Sequence, residues 1–157
     1  MPPAPHLPLT GFYQFGYTTA NLEHAQEELG RRYGLTRWRV RQPNPSMRTA
    51  HAYAGDSQLE LIEPSADGEA LYLDHMPGPG GIVRLHHLGY RIDDAAGWRQ
   101  LEEAIAARGL ATPKMGVAMG GDLHYAYIDT RAELGIWTEY VWRRGSAANL
   151  YDDVPRH

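Results

Sequence analysis

Apolar positions follow two rhythms along this chain, one of two residues and one of three to four, and the rhythms alternate in the same order twice. Phe12–Thr19 is rich in aromatic and β-branched residues, the composition of a strand. After Asn21, a side chain suited to capping, Leu22, Ala25, Leu29 and Tyr33 recur at steps of three and four and Gly34 stops the run. That pattern predicts a helix. Leu35–Arg41, Arg48–Ala54 and Gln58–Glu63 read as three further strands. Turn residues Gln42-Pro43-Asn44-Pro45 end the first of these, and Gly55-Asp56 predicts a tight hairpin between the other two. The order is β-α-β-β-β.

A linker follows, with a short helical turn over Leu71–His75 and an irregular Pro77-Gly78-Pro79-Gly80-Gly81 stretch. The order then repeats. Val83–Ile92 reads as a strand and Asp93 or Asp94 as a cap. Trp98, Leu101, Ala104 or Ile105, and Arg108 share one helix side, and Gly109 is its stop. Leu110–Lys114, Leu123–Asp129 and Gly135–Trp142 complete the set, and Ser146–His157 is a polar tail with no period. At an offset of 73 residues, Gln14-Phe15-Gly16-Tyr17 matches His87-Leu88-Gly89-Tyr90 and Asn21 matches Asp94. Two copies of one βαβββ unit are therefore expected, at 11–65 and 83–143, with a linker at 66–82 and a tail at 144–157.

Composition narrows the function more than the fold. With 157 residues, 43% apolar and 22% charged, the chain is long enough to bury a core without staples. A net charge of −4 supplies no polybasic surface, so nucleic acid is not an expected partner. The chain has no cysteine, which excludes disulfides, thiolate metal sites and cysteine nucleophiles. Met1–Pro8 does not read as a signal peptide, and no window approaches the roughly 20 apolar residues of a membrane span. A cytoplasmic protein without a membrane partner is the expectation.

In each half one polar residue lies on the first strand and one acidic residue on the last: Gln14 and Glu60, then His87 and Glu139. Each is flanked by apolar neighbours, where an unpaired polar group is costly. If the two units bring them together, two carboxylates, an imidazole and an amide oxygen make an N/O set for one divalent ion, Zn, Ni, Co, Fe or Mn. Plainer readings exist for each. Gln14 can be a hydrogen-bonded strand residue, His87 a buried imidazole paired to a carboxylate, and a strand glutamate can face solvent.

Over Phe12–Ala25, Gln58–Pro64, Leu85–Asp94 and Tyr127–Val141 the chain resembles the vicinal oxygen chelate superfamily, which includes glyoxalase I and methylmalonyl-CoA epimerase. The most specific pieces are Gln58-Leu59-Glu60-Leu61-Ile62-Glu63-Pro64 and Leu85-His86-His87-Leu88-Gly89-Tyr90. The resemblance implies an α+β fold of two βαβββ modules forming an open barrel-like, glyoxalase-like cleft. It implies Gln14, Glu60, His87 and Glu139 as ligands of one divalent metal per chain. It also implies Glu139 as the first candidate base, Glu60 as a second acting on the opposite face, and a homodimer. The activity it implies is that of a metal-dependent isomerase, epimerase or lyase. A metal polarising a carbonyl would stabilise the charge left when the adjacent proton departs, in a small, moderately apolar organic substrate.

Other residues have two readings each. His51 and His124 are either partners of the ligands or exposed strand histidines, with the exposed reading favoured. His86, adjacent to His87, should face the other side of its sheet and lie at the surface or behind the ligands. Tyr125 and Tyr127 share a face, from which one could donate to a bound oxyanion, and Trp137, two residues from Glu139, could wall the cleft. Arg39, Arg41, Arg48 and Arg84 could meet a substrate carboxylate or a CoA phosphate. The glycine-rich Met115–Gly121 segment reads as a connector, with a lid as the alternative, and is no phosphate loop. The rival functions are a metal-free small-molecule binding or sequestering protein, a metal-dependent dioxygenase, which Gln14 disfavours, and an interaction protein with a vestigial site.

Overall fold

A computed structural model describes all 157 residues. The elements run β1 (Phe12–Thr18), α1 (Leu22–Tyr33), β2 (Arg39–Asn44), β3 (Met47–Ala54), β4 (Ser57–Pro64), α2 (Ala70–Leu73), β5 (Arg84–Ile92), α3 (Ala95–Arg108), β6 (Lys114–Ala118), β7 (Leu123–Ile128), α4 (Arg131–Leu134) and β8 (Trp137–Arg143). The fold is α+β with a βαβββ order that occurs twice. Contacts divide the chain into two compact units, Gln14–His87 with Tyr151–His157, and Met1–Tyr13 with Leu88–Leu150. No helix is long and apolar enough to cross a membrane.

In the unit containing Gln14–His87 the strands stand in the order β2-β3-β4-β1. β1 runs parallel to β4, with Gln14 opposite Gln58 and Gly16 opposite Glu60. β3 and β4 are antiparallel, with His51 opposite Glu60 and Ala54 opposite Ser57. The two-residue turn between them needs a positive φ, which Gly55 supplies at 60°. Helix α1 starts where Asn21 Oδ1 accepts from the His24 amide, and ends at Gly34 in the left-handed region. Leu22 and Ala25 bury its apolar stripe against Ala50 and Leu61, whereas Tyr33, at the end of the same stripe, is exposed.

Two expectations for this unit change. The second strand begins at Arg39 rather than Leu35 and runs through Pro43. Leu35 is buried and its carbonyl accepts from Trp38 Nε1 at 2.7 Å, so 35–38 folds on itself. Pro43 is tolerated because β2 pairs on one side alone, and an edge strand has no second ladder to lose. The tail is also more than a polar appendage. The Tyr53 amide donates to Pro155 O at 2.8 Å and the His157 amide to Tyr53 O at 3.1 Å. Asp153 takes hydrogen bonds from Arg39 at 2.6 Å and Arg41 at 2.9 Å.

The other unit places β5, β8, β7 and β6 side by side in that order. The connectivity is that of its counterpart: first strand beside last, then third, then second. Asp94 Oδ1 caps α3 by accepting from the Gly97 amide, and Gly109 ends the helix. Trp98 and Leu101 pack on Ile128 and Tyr140 in a continuous core. Here the expected strand at Leu110–Lys114 lies instead at Lys114–Ala118, inside the segment read as a glycine-rich connector or lid. It pairs with β7 from Lys114 opposite Tyr127 to Ala118 opposite Leu123.

Tyr140 in this core is fully buried, and its hydroxyl donates to Pro8 O at 2.8 Å. Burial, with the neighbouring Tyr90 as a lesser cause, pushes its pKa well above the phenol range. A folded pKa above the unfolded one stabilises the fold fully below pH ~10 and progressively less as pH rises beyond it. Tyrosinate absorbance should therefore show one phenol that ionises only with alkaline unfolding. Tyr140→Phe should remove that component and cost about 1 kcal/mol at neutral pH, measured by denaturant unfolding.

Candidate functional site

Three of the four residues singled out as ligands stand in one unit, and the register explains how. Alternation along β1 points Gln14, Gly16 and Thr18 to one buried face. β4 brings Gln58 and Glu60 beside them, β3 brings His51 beside Glu60, and His87 comes from β5. The His87 ring lies directly over Gly16: a Cβ there would be 1.9 Å from the ring Cε1 and 2.3 Å from both ring nitrogens. The missing side chain is what lets an imidazole reach Gln14.

Gln14 is the hub of the cluster. Its Oε1 is 2.9 Å from His87 Nε2, and its Nε2 donates to Gln58 Oε1 at 2.7 Å and to Glu60 Oε2 at 3.3 Å. Glu60 Oε2 also meets His51 Nε2 at 2.8 Å. Gln14, Gln58 and His87 are fully buried. Burial acts to raise the Glu60 carboxyl pKa, but the His51 hydrogen bond and the charges of His51, His87 and His86 outweigh it and hold the pKa below the ordinary range. Glu60 is therefore a carboxylate at neutral pH. Two buried polar atoms beside it, Gln58 Nε2 and His51 Nδ1, have no partner. Buried polar groups are normally satisfied, so the cluster has capacity left for a bound group.

His51 corrects its sequence reading. It is 5% exposed and bonded to Glu60, not an exposed strand histidine. Of the two readings of His86, the structure keeps the one behind the ligands: it is fully buried and not at the surface. Its face of the strand is covered by α2, where its Nε2 lies 2.8 Å from Leu71 O, and its Nδ1 is 3.0 Å from His87 Nδ1. The Tyr72 and His75 rings flank it, with centroids at 5.1 and 5.8 Å. Burial, then the charge of His87, drives its pKa down to about 3. Gln58 was not singled out from the sequence, although its position two residues before Glu60 places it on the same strand face.

Glu139, the fourth residue, is buried on β8 of the other unit, opposite Tyr127. Tyr127 is buried and Tyr125 half-buried, with a Cβ at Gly116 only 2.8 Å from the Tyr125 hydroxyl. Trp137 is buried beneath the Arg131 guanidinium, 4.4 Å from the ring centroid. His124 is neither exposed nor among the ligand-like residues: its ring centroid lies 4.7 Å from that of Trp142 and its Nε2 lies 3.1 Å from Gly121 O. The four arginines offered for substrate anions have partners. Asp153 holds Arg39 and Arg41, Glu23 and Glu63 hold Arg48, and Arg84 donates to Met76 O.

An amide oxygen, a carboxylate and an imidazole gathered around Gln14 match the hard and borderline donors that divalent first-row ions accept. On donor chemistry Gln14, Glu60 and His87 fit such an ion. No group of three or more His, Cys, Asp and Glu side chains stands in metal-holding geometry.

A family model described as the Glyoxalase/Bleomycin resistance protein/Dioxygenase superfamily matches residues 13–127. No curated protein sequence matches the chain. Among solved structures, a variant of Streptomyces coelicolor methylmalonyl-CoA epimerase with bound 2-nitronate-propionyl-CoA superposes with a TM-score of 0.64 at 18% identity, covering 88% of this chain and 100% of that one. A methylmalonyl-CoA epimerase in complex with methylmalonyl-CoA and NH4+ gives 0.61 at 18% identity, covering 89% and 98%. The epimerase from Mycobacterium tuberculosis gives 0.58 at 19% identity, covering 91% and 97%.

Proposed function

The chain belongs to the glyoxalase/bleomycin resistance protein/dioxygenase superfamily, and on that premise we propose that it is a divalent-metal-dependent isomerase, epimerase or lyase moving a proton next to a substrate carbonyl. The observation that carries the reading is the buried cluster of Gln14, Glu60 and His87, with unpartnered polar atoms beside it. Gln14 Oε1, Glu60 and His87 Nε2 would hold the ion, which when bound supplies a Lewis acid for the substrate oxygen.

The remaining chemistry falls to side chains. Glu60 is held ionised and below the usual carboxylate range by His51, which makes it a poor proton acceptor near neutral pH, because a useful base has a pKa near the working pH. It suits the ligand role better than the base role. Glu139 thus remains the first candidate to take up the proton, as the family resemblance implies, and to act as the fourth ligand. His51 keeps Glu60 Oε2 in place and so sets the direction of its lone pairs. The homodimer that the resemblance implies is part of the same proposal.

Bound thioesters in two of the structural neighbours make methylmalonyl-CoA a rational probe. Untagged protein loaded with Ni²⁺, Co²⁺ or Zn²⁺ and dialysed should retain about one ion per chain, in keeping with the one-ion site of three to four ligands proposed here. In deuterated water it should exchange the α-proton of the probe or of a related carbonyl compound, and Glu139→Gln should lower that rate by about 10²–10⁴. The lack of a three-residue His/Asp/Glu group favours a second reading, a metal-free binding or sequestering protein. Tight binding of an apolar ligand with neither metal retention nor proton exchange would decide for it.

A further inference from the structure

A glutamine amide has nearly the same shape either way round, yet only its oxygen can bind a cation. Its hydrogen-bond partners decide which end points where. At Gln14 the side facing β4 is occupied by acceptors. Gln58 Oε1 lies 2.7 Å from Gln14 Nε2, and Glu60 Oε2 lies 3.3 Å from the same nitrogen. Turned round, the amide would set its own oxygen against both. Turning Gln58 round as well would still leave the Gln14 oxygen against the Glu60 carboxylate. The nitrogen therefore stays on the β4 side, which leaves Oε1 on the side of His87, 2.9 Å from its Nε2.

The two acceptors differ in what a bound cation would leave of them. Glu60 is a proposed ligand and already serves both Gln14 and His51, and lone pairs given to a cation are lost to the amide. Gln58 is no ligand in that proposal. The register of the parallel strands β1 and β4 sets it opposite Gln14, both side chains are fully buried, and its bond is the shorter of the two. Its own Nε2 is buried without a partner, a cost that a leucine in the same space would avoid. An amide kept there for its oxygen alone accounts for the bond and for the orphaned nitrogen together.

We propose that Gln58 is a positioning residue: its side-chain oxygen holds the Gln14 amide nitrogen on the β4 side and keeps Gln14 Oε1 turned toward His87, the orientation a ligand needs. The proposal rests on the metal reading above for its purpose, though not for its geometry. Partners that orient metal ligands from behind change affinity about 10–100-fold when lost, without themselves touching the ion.

The test separates the orientation of the amide from the metal. In ¹⁵N-labelled, metal-free protein the side-chain amide hydrogens of the five glutamines are resolved and assigned. Those of wild-type Gln14 should show stronger nuclear Overhauser contacts to the Gln58 side chain than to the His87 ring. Gln58→Leu keeps the volume and removes the acceptor. It should leave the denaturant midpoint near wild type, raise the contacts to His87 as both orientations become populated, and lower calorimetric Ni²⁺ affinity about 10–100-fold. Gln58→Glu keeps an acceptor oxygen and should restore the wild-type contacts and most of the affinity. A role in packing alone predicts the reverse, with leucine as good as glutamine. Gln14 amide hydrogens directed at His87 in the wild type overturn the proposal, as does a Gln58→Leu protein that keeps the wild-type contacts or the wild-type Ni²⁺ affinity. Should the leucine variant not fold, the wild type and Gln58→Glu decide, and Gln14 turned toward His87 by its nitrogen in either one overturns it. If the contacts respond as expected but no Ni²⁺ binds, the metal reading fails while the assignment of Gln58 stands.

Discussion

Gly16→Ala is expected to lower stability by about 3–5 kcal/mol and to abolish metal retention in the same protein. An added methyl would meet the His87 ring at 1.9 Å, a separation that real atoms do not adopt, so the imidazole must leave its place over β1. Overpacking of this kind costs roughly 1–3 kcal/mol. Displacing the ring also breaks its bonds to Gln14 and His86, and each buried group left unsatisfied adds about 1–3 kcal/mol. Against a net stability on the order of 5–15 kcal/mol, the fold should survive in weakened form. Denaturant unfolding measures the first effect and metal analysis after dialysis the second. An alanine variant within about 1 kcal/mol of wild type that still binds metal would mean the ring does not occupy this position.

Glu60→Gln should separate what Gly16→Ala combines. The amide is nearly isosteric and can still accept from His51, so the hydrogen-bonded frame of β3, β4 and β1 remains. Removing one partner of a buried ion pair costs about 3–5 kcal/mol when the other is left unpaired; because the His51 hydrogen bond is kept here, a smaller loss of about 1–2 kcal/mol is expected. Function should respond very differently. The proposed donor set loses one of its two carboxylates, so divalent-ion retention should fall well below one per chain, because hard and borderline cations favour anionic oxygens. Proton exchange should fall by about 10²–10⁴. If the variant keeps both its ion and its exchange rate, Glu60 is not a ligand and the proposed mechanism fails with it.

Local signals carried most of the architecture into the sequence. Asn21 and Asp94 cap their helices, and Gly34 and Gly109 end them in left-handed backbone, because capping and glycine stops depend on a few neighbouring residues. The hairpin at Gly55 was legible for the same reason. The misplacements share the opposite property. At 35–38, Leu35 and Trp38 have strand-like composition, but tertiary burial and a local bond keep them out of β2. In 114–118 a strand with two neighbouring glycines looks like a connector until β7 supplies its partner. The 151–157 tail has no period because its order comes from pairing with Tyr53 and from Asp153 meeting two arginines.

Within the candidate site, Gln14, Glu60 and His87 stood out by their matching places in the two halves and by the family resemblance, whereas His86 and His51 were left with two readings each. Alternation correctly sends His86 to the far face of β5. It does not say that α2 covers that face, since a four-residue helix after a loop leaves little trace in a hydrophobic pattern. His51 was ambiguous for a related reason. One histidine on a strand has no direction until the register places Glu60 opposite it.

The Tyr151 ring rests 5.5 Å from that of His51 and is itself covered by the Arg39 guanidinium at 5.3 Å. Residues 14–87 therefore wait for a segment that leaves the ribosome more than sixty residues later. At about 5–20 residues per second, His51 and its glutamate spend several seconds of every round of translation without their aromatic cover. The polar cluster of a nascent chain thus stays open to water on that side until residues 151–157 have emerged.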